Sequence, residues 1–225
     1  MVGLLLWLVV FMRLHAAAGK DVAAATASAH AVQAAEQALH LDIERTANEW
    51  LAANILVSQL AVYVYRLYYL VIIGVLVWVF LRHAAIYRQV RRTLVAMTVL
   101  ILPVYWAVPL SPPRFALPGV VDIVAAYDIL GHASRDLDNG QNHFSAMPSL
   151  HVGWSLWCAY AAWSALRVSR PRLALLAWVF PLLMVTVVIA TGNHYVLDVV
   201  GSMVLVGVSV AVAAAWGGLA QRRHG

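Results

Sequence analysis

Apolar runs about as long as a bilayer-crossing helix alternate along this chain with short charged segments. A transmembrane helix needs roughly 20 mostly apolar residues, and residues 60–81, 93–110, 150–168, 173–190 and 195–216 meet that pattern. The opening run, 2–14, is shorter and ends at Arg13 and His15. Ala16-Ala17-Ala18 after it resembles a signal-peptide cleavage site, but no basic residues precede the run, so it reads as an uncleaved first span. Between it and the next span, residues 20–50 are rich in alanine and place His30, Gln33, Gln37 and His40 at helical spacing. This is the pattern of an amphipathic helix on the outer surface or across the top of a bundle, with the histidines on its polar face. Pro103 and Pro181 fall inside apolar runs and predict kinks there. The expected fold is all-α: a polytopic membrane helical bundle of about six transmembrane helices. Residues 1–58 form an N-terminal span and outer-face segment, and 59–225 form the bundle as one integrated domain.

Composition agrees. The chain is 63% hydrophobic and 11% charged, with a mean hydropathy of +0.80, whereas soluble domains have about a quarter of their residues charged. Cys158 stands alone in an apolar run, which excludes an internal disulfide framework and reads as a small buried hydrophobe. A pI near 9.7 does not signal nucleic acid, because the basic residues cluster between spans. Arg82, Arg88, Arg91 and Arg92 form one group and Arg167, Arg170 and Arg172 a second, while Arg222 and Arg223 close the chain; no acid lies in any of them. Lys and Arg retained in short cytoplasmic loops give this pattern. It predicts an integral protein of the plasma (inner) membrane with cytoplasmic termini. The loop 111–147 then lies outside, and His151 and His194 fall at the same outer face, a result obtained from charge alone.

Ionisable groups beside lipid are costly and mark function. His194 and Asp198 stand four residues apart, so on a helix they share a face. A carboxylate that accepts from one imidazole nitrogen leaves the other available as base or nucleophile; an Asp–His pair joining two helices is the simpler reading. His151 follows Pro148 and Ser149, where Ser145 or a neighbour would cap a helix with proline in its first turn. The open N–H groups of that turn, at Ser149 and Leu150, suit a phosphate, and His151 beside them would donate a proton to a departing oxygen. Ser149 fits a plain cap equally well. Arg114, in Ser111-Pro-Pro-Arg114, suits bidentate contact with phosphate oxygens or snorkelling toward headgroups.

Pro148-Ser-Leu-His151 and Gly192-Asn-His194-Tyr-Val-Leu-Asp198 resemble the second and third signatures of the type 2 phosphatidic acid phosphatase superfamily. With Pro-Pro-Arg upstream, the forms are most similar to its inositol phosphorylceramide synthase-like (inositolphosphotransferase) branch. The resemblance spans about residues 60–216. It implies a bundle in which His194 attacks phosphorus to form a phosphohistidine, Asp198 orients it, His151 protonates the leaving group and Arg114 holds phosphate. No metal or cofactor is required. Two phosphate-binding cations of the usual signatures are missing, since Ala107 and Val188 stand where lysine and arginine are common. Arg135, Asn142, Asn193 and Arg66 are candidates to replace them. Arg66, among Tyr63, Tyr65, Tyr68 and Tyr69, also suits an aromatic belt.

The expected activity is cleavage of a lipid phosphate or lipid pyrophosphate at the extracytoplasmic face. The same site with an alcohol acceptor, an inositol or a sugar, would make a phosphotransferase. A rival of another class has His143, His151, His194 and Asp198 binding a metal such as zinc, in a transporter or a metal-dependent hydrolase, although no polar trail of the kind transport needs crosses the apolar runs. Asp136-Leu-Asp138-Asn-Gly140 fails the calcium-loop template, with its glycine one place early, and reads as a polar turn.

Overall fold

A computed structural model describes residues 2–128 and 142–222. The described residues are helical with no strand; one isolated parallel bridge joins Leu110 to Ser145. The elements are α1 (Val2–Ala17), α2 (Val22–Ala38), α3 (Glu44–Ala52), α4 (Ile55–Arg82), α5 (Ala84–Ala107), α6 (Pro113–Ala116), α7 (Ile123–Ala126), α8 (Leu150–Leu166), α9 (Pro171–Leu176), α10 (Val179–Ala190) and α11 (Val196–Arg222).

Four segments are long and apolar enough to cross a membrane: α4, α5, the α9–α10 pair taken together and α11. Counting the bent pair α1–α2 as one span makes five. The expectation of about six also included α8, which at 17 residues extends only about 25 Å. It is short because it starts at a buried cap, Ser149, inside the bundle.

The core is built by the inner faces of these helices. Leu94, Met97 and Ile101 of α5 meet Trp157 of α8, Met184 and Val188 of α10 and Val199 of α11. The indole N–H of Trp157, which no neighbouring helix side chain satisfies, donates to the carbonyl of Val90 at 3.0 Å. A second indole, Trp7 Nε1, donates to Thr98 Oγ1 at 2.8 Å and fastens α1 to α5. Cys158 is buried among these side chains, as a small hydrophobe would be.

Proline positions shape the last spans. The run 173–190 is two helices, because Pro181 sits in the first turn of α10, where its missing N–H breaks no helical bond. The break falls just before it, at Ala177–Trp178.

The segment 20–50 is likewise two helices. α2 meets α1 at 92°, so if α1 crosses the membrane, α2 lies across the end of the bundle. Asp21 caps it by accepting from Ala24 N at 3.0 Å, and it buries Ala25, Ala29 and Glu36 while exposing His30 and His40. It ends where His40 takes a left-handed conformation, φ 56°. Leu41 N–H then bonds back to Glu36 O at 2.8 Å, in the manner of a Schellman turn. That reversal starts α3 close beside the end of α2.

A candidate active site at one end of the bundle

The turn between α10 and α11 sets the site. Thr191 ends α10 with its hydroxyl on Val187 O at 2.7 Å. Gly192 then takes φ +72°, and a Cβ there would stand 2.6 Å from Val120 Cγ1; only glycine fits. The N–H groups of Asn193 and His194 both return to Val188 O, at 3.0 and 3.2 Å. Arg114 N–H donates to Gly192 O at 2.9 Å and seats α6 on the same turn.

His194 is 6% exposed and Asp198 is fully buried. His194 Nδ1 lies 3.1 Å from Asp198 Oδ2, and the same oxygen accepts from Tyr195 N–H at 2.9 Å. The pairing expected from the i, i+4 spacing forms, but not on one helix face: His194 lies in the turn before α11, and Asp198 in the helix's first turn reaches back to it. In the tautomer that donates from Nδ1 to the carboxylate, Nε2 carries the ring's free lone pair.

His151 stands across from it, its ring centroid 6.1 Å from that of His194. Tyr65 of α4 stacks on His151 at 4.2 Å and 21°, and Tyr68 packs at 4.5 Å. Two aromatic rings therefore fix the plane of the imidazole. The helix that carries it is capped by Ser149, whose Oγ accepts from Val152 N at 3.3 Å. Pro148 precedes that cap instead of occupying the first turn; its carbonyl accepts from Tyr105 OH at 2.6 Å. The Ser149 hydroxyl is thus engaged as a cap, and the N–H groups of Leu150 and His151 are the open ones of the first turn.

The histidines face a cavity of about 150 Å³, whose wall also includes Arg114, Asn193, Asn142 and Leu150. Arg114 Nη1 donates to Asn193 Oδ1, its Nε lies 3.4 Å from Asp122 Oδ2, and its guanidinium sits over the Phe115 ring, 4.5 Å from the centroid. Asn193 Oδ1 also accepts from Tyr65 OH at 3.3 Å, and its amide donates to Thr191 Oγ1 at 2.7 Å. Asn142 donates to the carbonyls of His15 and Ala18, at 2.8 and 2.9 Å, and accepts from Phe144 N, so its amide binds the end of α1. Arg66 pairs with Asp128 at 3.0 Å; its neighbours Tyr65, Tyr68 and Tyr69 line the cavity in its place. Arg135, and the turn at Asp136 and Asp138, lie outside the described residues.

Several wall residues were not singled out as site residues. His15 lines the cavity with Nε2 2.9 Å from Ser145 Oγ; behind the wall, Asn48 bridges Val121 and Ala190 from full burial. Neither belongs to a motif. Tyr65 and Tyr68 were visible in sequence only as part of an aromatic belt. Among the described residues no group of three or more His, Cys, Asp and Glu side chains is placed to hold a metal ion.

Comparison with protein-family models decides the family: the model of the PAP2 superfamily matches residues 30–212, most of the chain. The chain belongs to the PAP2 superfamily. Neither the curated proteins nor the solved structures gave a match. Membership makes this PAP2 protein a lipid phosphatase-like phosphoesterase, with phosphatase or phosphotransferase activity on a phosphorylated lipid or other phosphate ester. Its apolar helices make it an integral membrane protein.

Proposed function

We propose that this PAP2 protein cleaves a lipid phosphate or pyrophosphate through a phosphohistidine on His194. The observation that carries the reading is the pair of imidazoles 6.1 Å apart across one cavity, with a buried carboxylate behind one of them. A phosphorus atom between the rings would sit roughly 3 Å from each reacting nitrogen.

His194 Nε2 attacks phosphorus while Nδ1–H donates to Asp198, which stabilises the cation formed. The bond from phosphorus to the leaving oxygen breaks, and His151 gives that oxygen its proton. Water or an alcohol then attacks the phosphohistidine; His151 takes back a proton and His194 is released. Arg114 holds the phosphoryl oxygens, joined by the N–H groups of Leu150 and His151 at the helix N-terminus. The charge pattern supports an extracytoplasmic site, since the arginine clusters lie at the ends of α4, α8 and α11 remote from the cavity.

Placement in the inositol phosphorylceramide synthase-like branch is supported by the Pro-Ser-Leu-His and His-Tyr-x-x-Asp forms and by Ala107 and Val188 in the places of the missing cations. In that branch an alcohol, not water, would resolve the intermediate.

The test is turnover of labelled phosphatidate, polyprenyl pyrophosphate and inositol phospholipids, each with and without inositol or sugar acceptors. Wild-type protein transfers label to water or to one acceptor, and a denaturing quench at alkaline pH traps a phosphoprotein that is stable in alkali and lost in acid. His194→Ala abolishes both. Retained turnover in that variant would overturn the mechanism.

A further inference from the structure

The first turn of α11 lacks an ordinary N-cap. Helices begin with unpaired N–H groups that a short Ser, Thr, Asp or Asn side chain usually satisfies. Here the residue before the helix is Tyr195, whose phenol cannot reach back. Two carboxyl groups from elsewhere take over. Glu36 Oε1 of α2 accepts from Leu197 N at 2.6 Å, and Glu44 Oε1 of α3 accepts from Val196 N at 3.1 Å. Both acids are buried, 0% and 2% exposed, and among the described residues neither forms a salt bridge with Lys or Arg. Acids hidden at this cost need a specific return, and the positive end of the helix supplies part of it.

What these bonds hold is the turn that carries the chemistry. The next residue, Asp198, reaches back to Tyr195 N–H and to His194 Nδ1 with the same oxygen. Any shift of Val196 and Leu197 therefore moves the carboxylate off the imidazole.

We propose that Glu36 and Glu44 are positioning residues for the His194–Asp198 pair: reaching in from two other helices, they cap α11 and fix the rotation of its first turn. The inference rests on the catalytic reading of His194 given above. It also assigns a role to the left-handed turn at His40, which brings the two acids together.

The experiment compares Glu36→Ala, Glu36→Asp and Glu36→Gln in the full-length protein, using phosphatidate hydrolysis and ¹⁵N spectra of labelled histidines. Glutamine keeps an acceptor at the same reach, so it retains kcat within a few-fold. Alanine removes the acceptor and aspartate retracts it. Both lower kcat, by up to about a hundredfold as displaced catalytic groups do, with KM little changed. In the same two variants the His194 Nδ1–H resonance, identified by its loss in His194→Ala, shifts or broadens. Wild-type kcat in the aspartate variant, or an unmoved resonance there, overturns the inference, as does a glutamine variant as impaired as aspartate. Should alanine fail to fold, the aspartate–glutamine comparison decides. If wild-type protein turns over no lipid phosphate, with water or with an inositol or sugar acceptor, the catalytic reading of His194 fails, and the resonance still tests the positioning.

Discussion

Asp198 holds His194 through one carboxylate oxygen, Oδ2, which also accepts the backbone N–H of Tyr195. The orienting group is therefore itself oriented by the backbone of the first turn of α11. Asp198→Asn removes the charge and can present an N–H where an acceptor is needed. We expect kcat to fall by a factor on the order of 10³–10⁴, with the fold retained, as read by steady-state hydrolysis alongside circular dichroism.

Arg114 is locked by Asn193 on one side and Asp122 on the other. A lysine carries the same charge but cannot make both contacts and still offer a planar fork to phosphate. Hydrogen bonds to charged groups are worth about 1.5–3 kcal/mol. Arg114→Lys should therefore lower kcat/KM by roughly ten- to a hundredfold, and unimpaired turnover would remove Arg114 from the phosphate site.

Tyr65 and Tyr68 clamp the ring assigned as proton donor. Aromatic pairs contribute about 0.5–1.5 kcal/mol beyond their buried area, so Tyr68→Ala should cost about two- to tenfold in kcat, while Tyr68→Phe keeps the ring contact and most of the rate. The loss should shrink with an aryl phosphate, whose leaving group needs no proton. Equal losses on both substrates would argue against proton donation by His151.

Burial and the nearby carboxyls of Glu44 and Asp198 push Glu36 up to about 8 from 4.5. The folded protein thus holds this proton more tightly than the unfolded chain. That contribution to stability is fully present below 4.5 and is lost as pH rises through about 8. The thermal midpoint in detergent should fall across that window, and Glu36→Gln should flatten the decline. A midpoint as pH-dependent in the glutamine variant as in the wild type would assign the effect elsewhere.

The spans were legible because α4, α5 and α11 each carry a long apolar stretch and the length requirement of a bilayer is strict; Arg88, Arg91 and Arg92, expected between spans, lie inside the first turns of α5. The His194–Asp198 contact was legible because i, i+4 geometry is local. What was hidden depends on contacts between distant segments. Nothing near His151 in the chain points to Tyr65, and nothing near Asp198 points to Glu36, which resembles any polar-face residue of an alanine-rich helix. The break in 20–50 turns on a left-handed His40, a conformation that histidine adopts more readily than bulky residues but that composition does not reveal. Asn142 and Arg66 were chosen for their chemistry; their partners, the end of α1 and Asp128, became visible only in three dimensions.

The cavity takes side chains from the beginning, middle and end of the chain: His15 from α1, Tyr65 from α4, His151 from α8 and His194 from the turn into α11. Synthesis runs in that order. The ribosome must deliver the turn into α11 before the paired imidazoles can meet, so under the proposed mechanism a product lacking α11 would be inert toward the lipids around it. Activity would then be tied to insertion of that helix without a separate inhibitor.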